Sequence, residues 1–528
     1  MGPLRKVRRL FETVRHLKPI QVLGRARFVL IKPNPDVRPA PPIRPLLRPM
    51  PAPAARDQSM VGPSRLRLLG VEHDIDKVGW DDPSIPKLWR YNLHYFDDLC
   101  SRGARGRRGW QRELIERWIR ENPPASGTGW EPYPTSLRIV NWVKWAWCGN
   151  RHSPAADHSL AVQARWLRKR LEWHLLGNHL FVNAKALVFA GTYFDGPEAE
   201  DWRRAGAEIL VRQVAEQVLP DGGQFERSPM YHALALEDMV DLCTADSVAT
   251  LGALGTEASR RVPAMAAWLK AMCHPDGEIA FFNDAAIGVH PSPHEIEAYL
   301  VRAGFLPAPE PRDGVTLLRE SGFVRLQLPG AVAIFDVGPV GPDYLPGHAH
   351  ADTLSFELSV AGRRVVVNSG TSEYGSGAER LRQRGTAAHN TVSVDGADSS
   401  EVWGGFRVAR RARPFGLAIQ EQEQLLMARC GHDGFRRLRT GLDHVRELRL
   451  RPGSLEVNDE ISADGKMRAF IHWAPGAEPP IGPVRLHCTG GTVSDSPSTW
   501  HPEFGTIRSN VRSEICAGGR RLSVLLQW

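Results

Sequence analysis

The hydrophobic period of this chain changes once, near Gly314, and that change limits what it can fold into. From about Asp81 to Ala303, apolar residues recur at helical spacing in segments of 12 to 20 residues separated by Gly, Pro and Asn. The clearest are Leu137–Trp147, Ala161–Leu176, Leu180–Ala190, Ala205–Leu219 and Tyr231–Leu254. Short connections between such helices favour antiparallel pairs, stacked or closed into a ring. Beyond Gly314 the period is two: Leu354, Phe356, Leu358 and Val360 alternate with Thr353, Ser355, Glu357 and Ser359. Gly322–Gly338, Arg363–Asn368, Asn390–Asp395, Arg446–Val457 and Arg521–Trp528 also read as strands. The expectation is an α+β, multidomain chain. A basic helix over residues 5–32 and a Pro-rich strap occupy 1–75, a helical domain 76–310, and an antiparallel β-sandwich 311–528.

The chain has 528 residues, 42% hydrophobic and 24% charged, enough for two or three full cores. Its net charge of +8 would invite a polyanion partner, but the excess is local. Up to Asp57 there are 13 Lys or Arg against Glu12, Asp36 and Asp57, so the remainder of the chain is slightly acidic. Nucleic acid is therefore not expected as a partner, whereas the basic segment could contact its own domain, a membrane surface or another protein. Nine prolines between Pro33 and Pro53 forbid helix there. Seven scattered cysteines form no C-x-x-C pair and read as free thiols in a reducing compartment. Neither a signal-peptide core nor a membrane span is apparent, so the expected location is cytoplasmic, or periplasmic or extracellular by another export route.

Five polar clusters could carry chemistry. In an extended Gly347–Asp352 segment, His348, His350 and Asp352 share one face and the parity of the following core residues, which is costly unless they are paired, ligated or lining a cleft. In Asp221–His232, Ser228 before Pro229 reads as a helix N-cap with Tyr231 in the first turn, where the helix dipole would favour phenolate. A Tyr that merely anchors the helix fits equally. Gly177 can end one helix and Asn178 cap the next, ahead of His179. His389 precedes a strand. The fifth cluster, Glu131–Trp142, offers Arg138 and Asn141 for carboxylates, while Trp142 and Trp145 at helical spacing suit a core as well as a sugar. There is no G-x-S-x-G, Walker A, G-x-G-x-x-G or H-E-x-x-H motif.

Four strings in order, GNHLFVNAKAL from Gly177, GGQFERSPMYH from Gly222, GHAHADTLSFEL from Gly347 and RGTAAHNTV from Arg384, resemble the heparinase II/III family of polysaccharide lyases. The resemblance implies an incomplete (α/α) toroid followed by an antiparallel β-sandwich, and β-elimination on a uronic-acid-containing polysaccharide. Such chemistry must neutralise the C6 carboxylate, remove a weakly acidic C5 proton and protonate the departing O4. By resemblance, Tyr231 and His348 match catalytic residues, and Asn178 or His179 the carboxylate-neutralising position. Arg138, Asn141, Trp142, Glu226, Arg384 and His389 are the candidate substrate contacts. No cofactor is required. Some relatives hold a structural divalent metal, zinc or calcium, and the corresponding ligands here are His350, Asn368 and His389, with Asn in place of Asp and Asp352 as a substitute if the strand geometry allows. Two other readings stay open: a carbohydrate-binding or assembly component of exopolysaccharide synthesis, and a glycoside hydrolase using Glu226, Asp284 or Asp352.

Overall fold

The structure, a computed structural model, describes residues 3–46, 50–479 and 481–528. Helices dominate up to Arg302 and the larger sheets begin at Gly314, which places the change of architecture where the hydrophobic period changes. Three helices of the first domain start on a Ser-Pro pair: Pro154–Lys169, Pro229–Asp246 and Pro293–Arg302. In each, the serine Oγ accepts the N–H three residues on, from Ala156 (3.1 Å), Tyr231 (3.1 Å) or Glu295 (3.3 Å). Proline at the first position loses no hydrogen bond and presets φ, so these starts are fixed locally.

The helices Pro132–Trp147, Pro154–Lys169, Gly177–Tyr193, Pro197–Gln217, Pro229–Asp246 and Ala253–Ala271 pack on one another, next or next but one in sequence, as the incomplete toroid. A tryptophan cluster fills one part of it, with Trp142 edge-on to Trp118 at 5.8 Å and Trp118 against Trp130 at 5.6 Å. Boundaries differ from the sequence expectation in two places. The Ala161–Leu176 segment stops at Lys169, and Tyr231–Leu254 is two helices broken between Asp246 and Ala253, where Gly252 adopts φ +62°.

The C-terminal region forms antiparallel sheets throughout. One has five strands (Gly314–Leu318, Phe323–Leu328, Ala331–Asp336, Phe356–Val360, Arg363–Val366), one six, and one four. The expected strand from Thr353 begins only at Phe356, because Leu354 turns the chain with φ +64°. Gly322–Gly338 and Arg446–Val457 are hairpins, each folding two strands around a turn. Strands at Pro414–Gln422, Leu425–His432, Met467–His472, Gly491–Trp500 and Arg508–Ala517 were not foreseen.

The basic N-terminal helix is two helices, Pro3–Val14 and Pro19–Leu30, because Pro19 starts a new one. The strap behaves as an extended chain: Arg165 donates to the carbonyls of Arg38 (2.6 Å) and Pro39 (2.9 Å), and Ile43 bridges Phe194. Residues 47–49 of that strap lie outside the described residues. A hairpin, Arg65–Leu68 with Val71–Asp74, follows it. Among the described residues, no helix is long and apolar enough to cross a membrane.

Candidate active site

Two helix N-termini and one loop of the sandwich meet at a cavity of about 520 Å³. Tyr231 lies in the first turn of Pro229–Asp246, held there by the Ser228 cap. Asn178 and His179 lie in the first turn of Gly177–Tyr193. This corrects the expected capping: the helix begins at Gly177 itself, with Leu176 as the flanking residue at φ +61°. Gly177 adopts φ +52°, which favours glycine, and its Cα side faces Leu345, whose Cδ2 would lie 2.2 Å from a Cβ. The loop ending in His348 therefore closes directly on this helix start.

His348 is fixed by a carboxylate, Asp284, that the sequence offered only for a hydrolase. Asp284 Oδ2 lies 2.8 Å from His348 Nδ1, and Asp284 Oδ1 lies 2.8 Å from His350 Nε2. Arg380 donates to both oxygens of Asp284, at 2.7 Å from NH2 to Oδ2. Backbone bonds reinforce the pairing: Asp284 N donates to His348 O at 2.9 Å, His350 N to Asn283 Oδ1 at 3.1 Å, and Asn283 N to Asp352 Oδ2 at 2.8 Å. Burial alone would raise the Asp284 carboxyl, but the Arg380 charge and the two histidine hydrogen bonds hold it well below the usual carboxylate range. With Nδ1 held by this carboxylate, the His348 ring is fixed in orientation with Nε2 on its far side, the geometry of an oriented acid–base group. The His348 ring lies 4.0 Å from the Tyr231 ring, and the Tyr231 hydroxyl is 3.0 Å from the Tyr374 hydroxyl.

The helix dipole does not set the state of Tyr231. Burial, with Tyr374 beside it, raises the phenol well above its ordinary value, so it rests as a proton donor. Three non-glycine residues next to site groups adopt positive φ: Leu176 (61°), Arg227 (59°) and Asn283 (57°). Each costs on the order of 1–3 kcal/mol, strain that the surrounding contacts hold in place.

Asn178, His179, Asn141, Tyr231 and His348 line the cavity, as do Tyr133 and Tyr374. His179 is anchored by Glu172, Nδ1 to Oε2 at 3.2 Å, and leans on Tyr133 at 4.6 Å. Asn141 Nδ2 donates to Asp97 Oδ1 at 2.8 Å and to Tyr95 O at 2.9 Å. The other expected contacts do not reach the cavity. Arg138 is fully buried, with its guanidinium 3.8 Å over Trp118 and Nε on Gln163 at 2.9 Å, and burial pulls its pKa well down. Trp142 is wholly in the core. Both residues lie on helix Pro132–Trp147, on faces turned toward the tryptophan cluster. Arg384 clamps the site loop from behind, donating to Ala349 O at 2.8 Å and to Gly404 O at 3.1 Å, and burial lowers it to about 9. Glu226, buried and raised by that burial, lies beneath His348, 3.8 Å from Nε2. Arg138→Ala is thus expected to cost about 2–5 kcal/mol of stability as a core truncation. The KM of the folded variant should be unchanged; a raised KM at intact stability would return Arg138 to the site.

His350, His389 and Asp352 bring their ligand atoms within 4.8 Å of one another, with His350 Nδ1 and His389 Nε2 at 3.2 Å. Asp352, the substitute carboxylate named from sequence, is the acidic group beside the two histidines. The Oδ1 of Asn368 accepts the backbone N–H of Asn390 at 3.1 Å. His389 also bonds Gln383 O at 3.1 Å and does not line the cavity. Arg380, Tyr374 and Glu172 were missed as site residues, and Asp284, offered only as a hydrolase carboxylate, was missed as the partner of His348. Asn283-Asp284 inside the apolar run from Ile279 to Ile287 was the one available signal for Asp284.

A helical toroid facing an antiparallel sandwich, with Tyr and His meeting at the seam, defines the class. Residues 115–296 match the model of the heparinase II/III N-terminus, and residues 310–515 that of the heparinase II/III-like C-terminal region. The chain belongs to the heparinase II/III family. A heparin-sulfate lyase of Bacteroides stercoris is 28% identical over 242 residues, 42% of this chain and 36% of that protein, so the match spans little more than a third of the lyase's length. FtsZ-localized protein C of Caulobacter vibrioides is 28% identical over 440 residues, 78% of this chain and 70% of that protein. The crystal structure of heparinase III shares the fold at a TM-score of 0.65 and 20% identity, covering 85% of this chain and 79% of that one.

Proposed function

We propose that this protein is a polysaccharide lyase that cleaves a uronic-acid-containing polymer by β-elimination. The observation that carries this reading is the pairing of a carboxylate-oriented His348 with the Tyr231 phenol, rings 4.0 Å apart, at the wall of a cleft. Asn178 neutralises the substrate carboxylate: its amide makes no hydrogen bond among the described residues and faces the cavity at a helix N-terminus, where partial positive charge favours an anion. His179, tied to Glu172, supports it. His348 Nε2 takes the C5 proton, electrons move to form the C4–C5 double bond, and Tyr231 protonates the departing O4. Tyr374 hydrogen-bonds the Tyr231 hydroxyl and can relay its proton. The same two residues exchange roles where the C5 proton lies on the other face of the sugar.

The hydrolase reading lacks support: Asp284 is saturated by Arg380 and two histidines, and neither it, Glu226 nor Asp352 lines the cavity. The test is ultraviolet absorbance of unsaturated uronate ends against a panel of heparan sulfate, heparin, hyaluronan, chondroitin and alginate. A rise with one of these is the expected result. New reducing ends without absorbance would instead mean hydrolysis, and silence in both assays would favour the binding or assembly role.

His350, His389 and Asp352 would hold a divalent metal such as zinc. Burial pulls the two histidines down to about 4 and about 3, so each ring is neutral with one lone-pair nitrogen, and raises the Asp352 carboxyl, which a cation would relieve. Such an ion would supply structural cross-linking behind the site and no reacting group. Added zinc is expected to raise the thermal midpoint and a chelator to lower it, with a loss of either response in His389→Ala.

A further inference from the structure

The two N-terminal helices are amphipathic the wrong way round for a segment that only packs on its own domain. Of the 25 large apolar side chains exposed among the described residues, 11 fall between Val7 and Ile31. On the Pro3–Val14 helix, Val7, Leu10, Phe11 and Val14 form one stripe at i, i+3, i+4 and i+7 and are 46% to 66% exposed. The opposite, polar face makes the internal contacts: Trp403 Nε1 donates to Thr13 Oγ1 at 3.1 Å, and Arg9 lies 4.0 Å from Glu401. The second helix, Pro19–Leu30, repeats this. Gln21, Gly24 and Phe28 face the body, Phe28 stacking on His174 at 4.3 Å, while Leu23, Val29 and Leu30 face out.

Charge identifies what covers this face. Residues 6–32 hold eight Lys or Arg and one acidic residue, Glu12, which Arg15 already pairs at 3.0 Å. Lys6, Arg8, Arg25, Arg27 and Lys32 are exposed around the apolar stripe. An apolar stripe bordered by cations suits a surface that offers both anionic headgroups and an acyl interior. An acidic polysaccharide would use the cations and leave the apolar stripe wet. A second copy of the chain would bring the same positive charge against itself.

We propose that the face formed by residues 6–32 docks the protein on a membrane carrying anionic lipid, by lying in the interface rather than crossing it. This goes beyond the lyase reading and does not depend on it. The test is co-sedimentation of the full chain with vesicles of phosphatidylcholine alone and of phosphatidylcholine with phosphatidylglycerol. Binding to the anionic vesicles is expected to be at least about tenfold tighter, to weaken with salt, and to fall about tenfold in the double variant Leu10→Ser with Phe11→Ser. Both residues are exposed, so the circular dichroism spectrum of the variant should match the parent. Equal binding to both vesicle types, or full binding by the double variant, would overturn the proposal. So would a dimer in sedimentation that becomes monomeric in the double variant while vesicles are ignored.

Discussion

Tyr231→Phe is expected to lower turnover by on the order of 10³-fold or more while leaving the fold intact. The phenol is the group that burial keeps protonated, and it lies against the His348 ring at 4.0 Å, so its removal deletes the proton donor to O4 and nothing else in the cleft. The structural cost is one hydrogen bond to Tyr374, worth about 1 kcal/mol. KM should change little, because the proposed mechanism assigns the carboxylate contact to Asn178. Turnover near the parent value in a folded Tyr231→Phe variant would remove Tyr231 from the chemistry and leave the helix-anchoring reading.

Asp284→Asn is expected to damage stability and catalysis together. The substitution keeps the side-chain shape but leaves the Arg380 guanidinium buried without its counter-charge, which costs about 3–5 kcal/mol. It also removes the carboxylate that orients the His348 ring through Nδ1, and loss of such an orienting carboxylate costs about 10⁴-fold in turnover. The catalytic deficit must be read per folded molecule, since a purely structural carboxylate would lower the thermal midpoint and leave turnover of the folded fraction near normal. The stability effect has a sign in pH. The Asp284 carboxyl is held well below its usual range, so its contribution is present above the ordinary carboxylate pKa and is lost as pH falls through the lowered folded-state value. The parent should therefore lose stability on acidification more steeply than the Asn variant.

Much of this was legible in the sequence where a local rule decides the outcome. Ser228-Pro229 placed Tyr231 in a helix first turn because capping needs only neighbouring residues, and the change of period at Gly314 marked the end of the toroid because burial repeats along each element. The site was less legible where partners come from distant segments. Nothing near His348 announces Asp284, 64 residues earlier, or Arg380, and Tyr374 stands in no pattern. The H-x-H-x-D spacing suggested a shared strand face, and the three side chains do converge on Asn283-Asp284, but through a turn at Leu354 instead of an extended strand. Arg138 and Trp142 misled for a different reason. Aromatic and cationic residues at helical spacing describe a cleft wall and a cation-over-indole core equally well, and only the orientation of the helix separates the two. Strands such as Gly491–Trp500, exposed along most of their length, carry too little alternation to be seen.

The most direct test of the central claim is the mass of the products released from the best polymer of the panel. Elimination through His348 and Tyr231 predicts new non-reducing ends lighter by one water than the hydrolytic fragments, formed by the parent and absent with Tyr231→Phe. Fragments carrying the added water, or light fragments undiminished in Tyr231→Phe, would contradict the account.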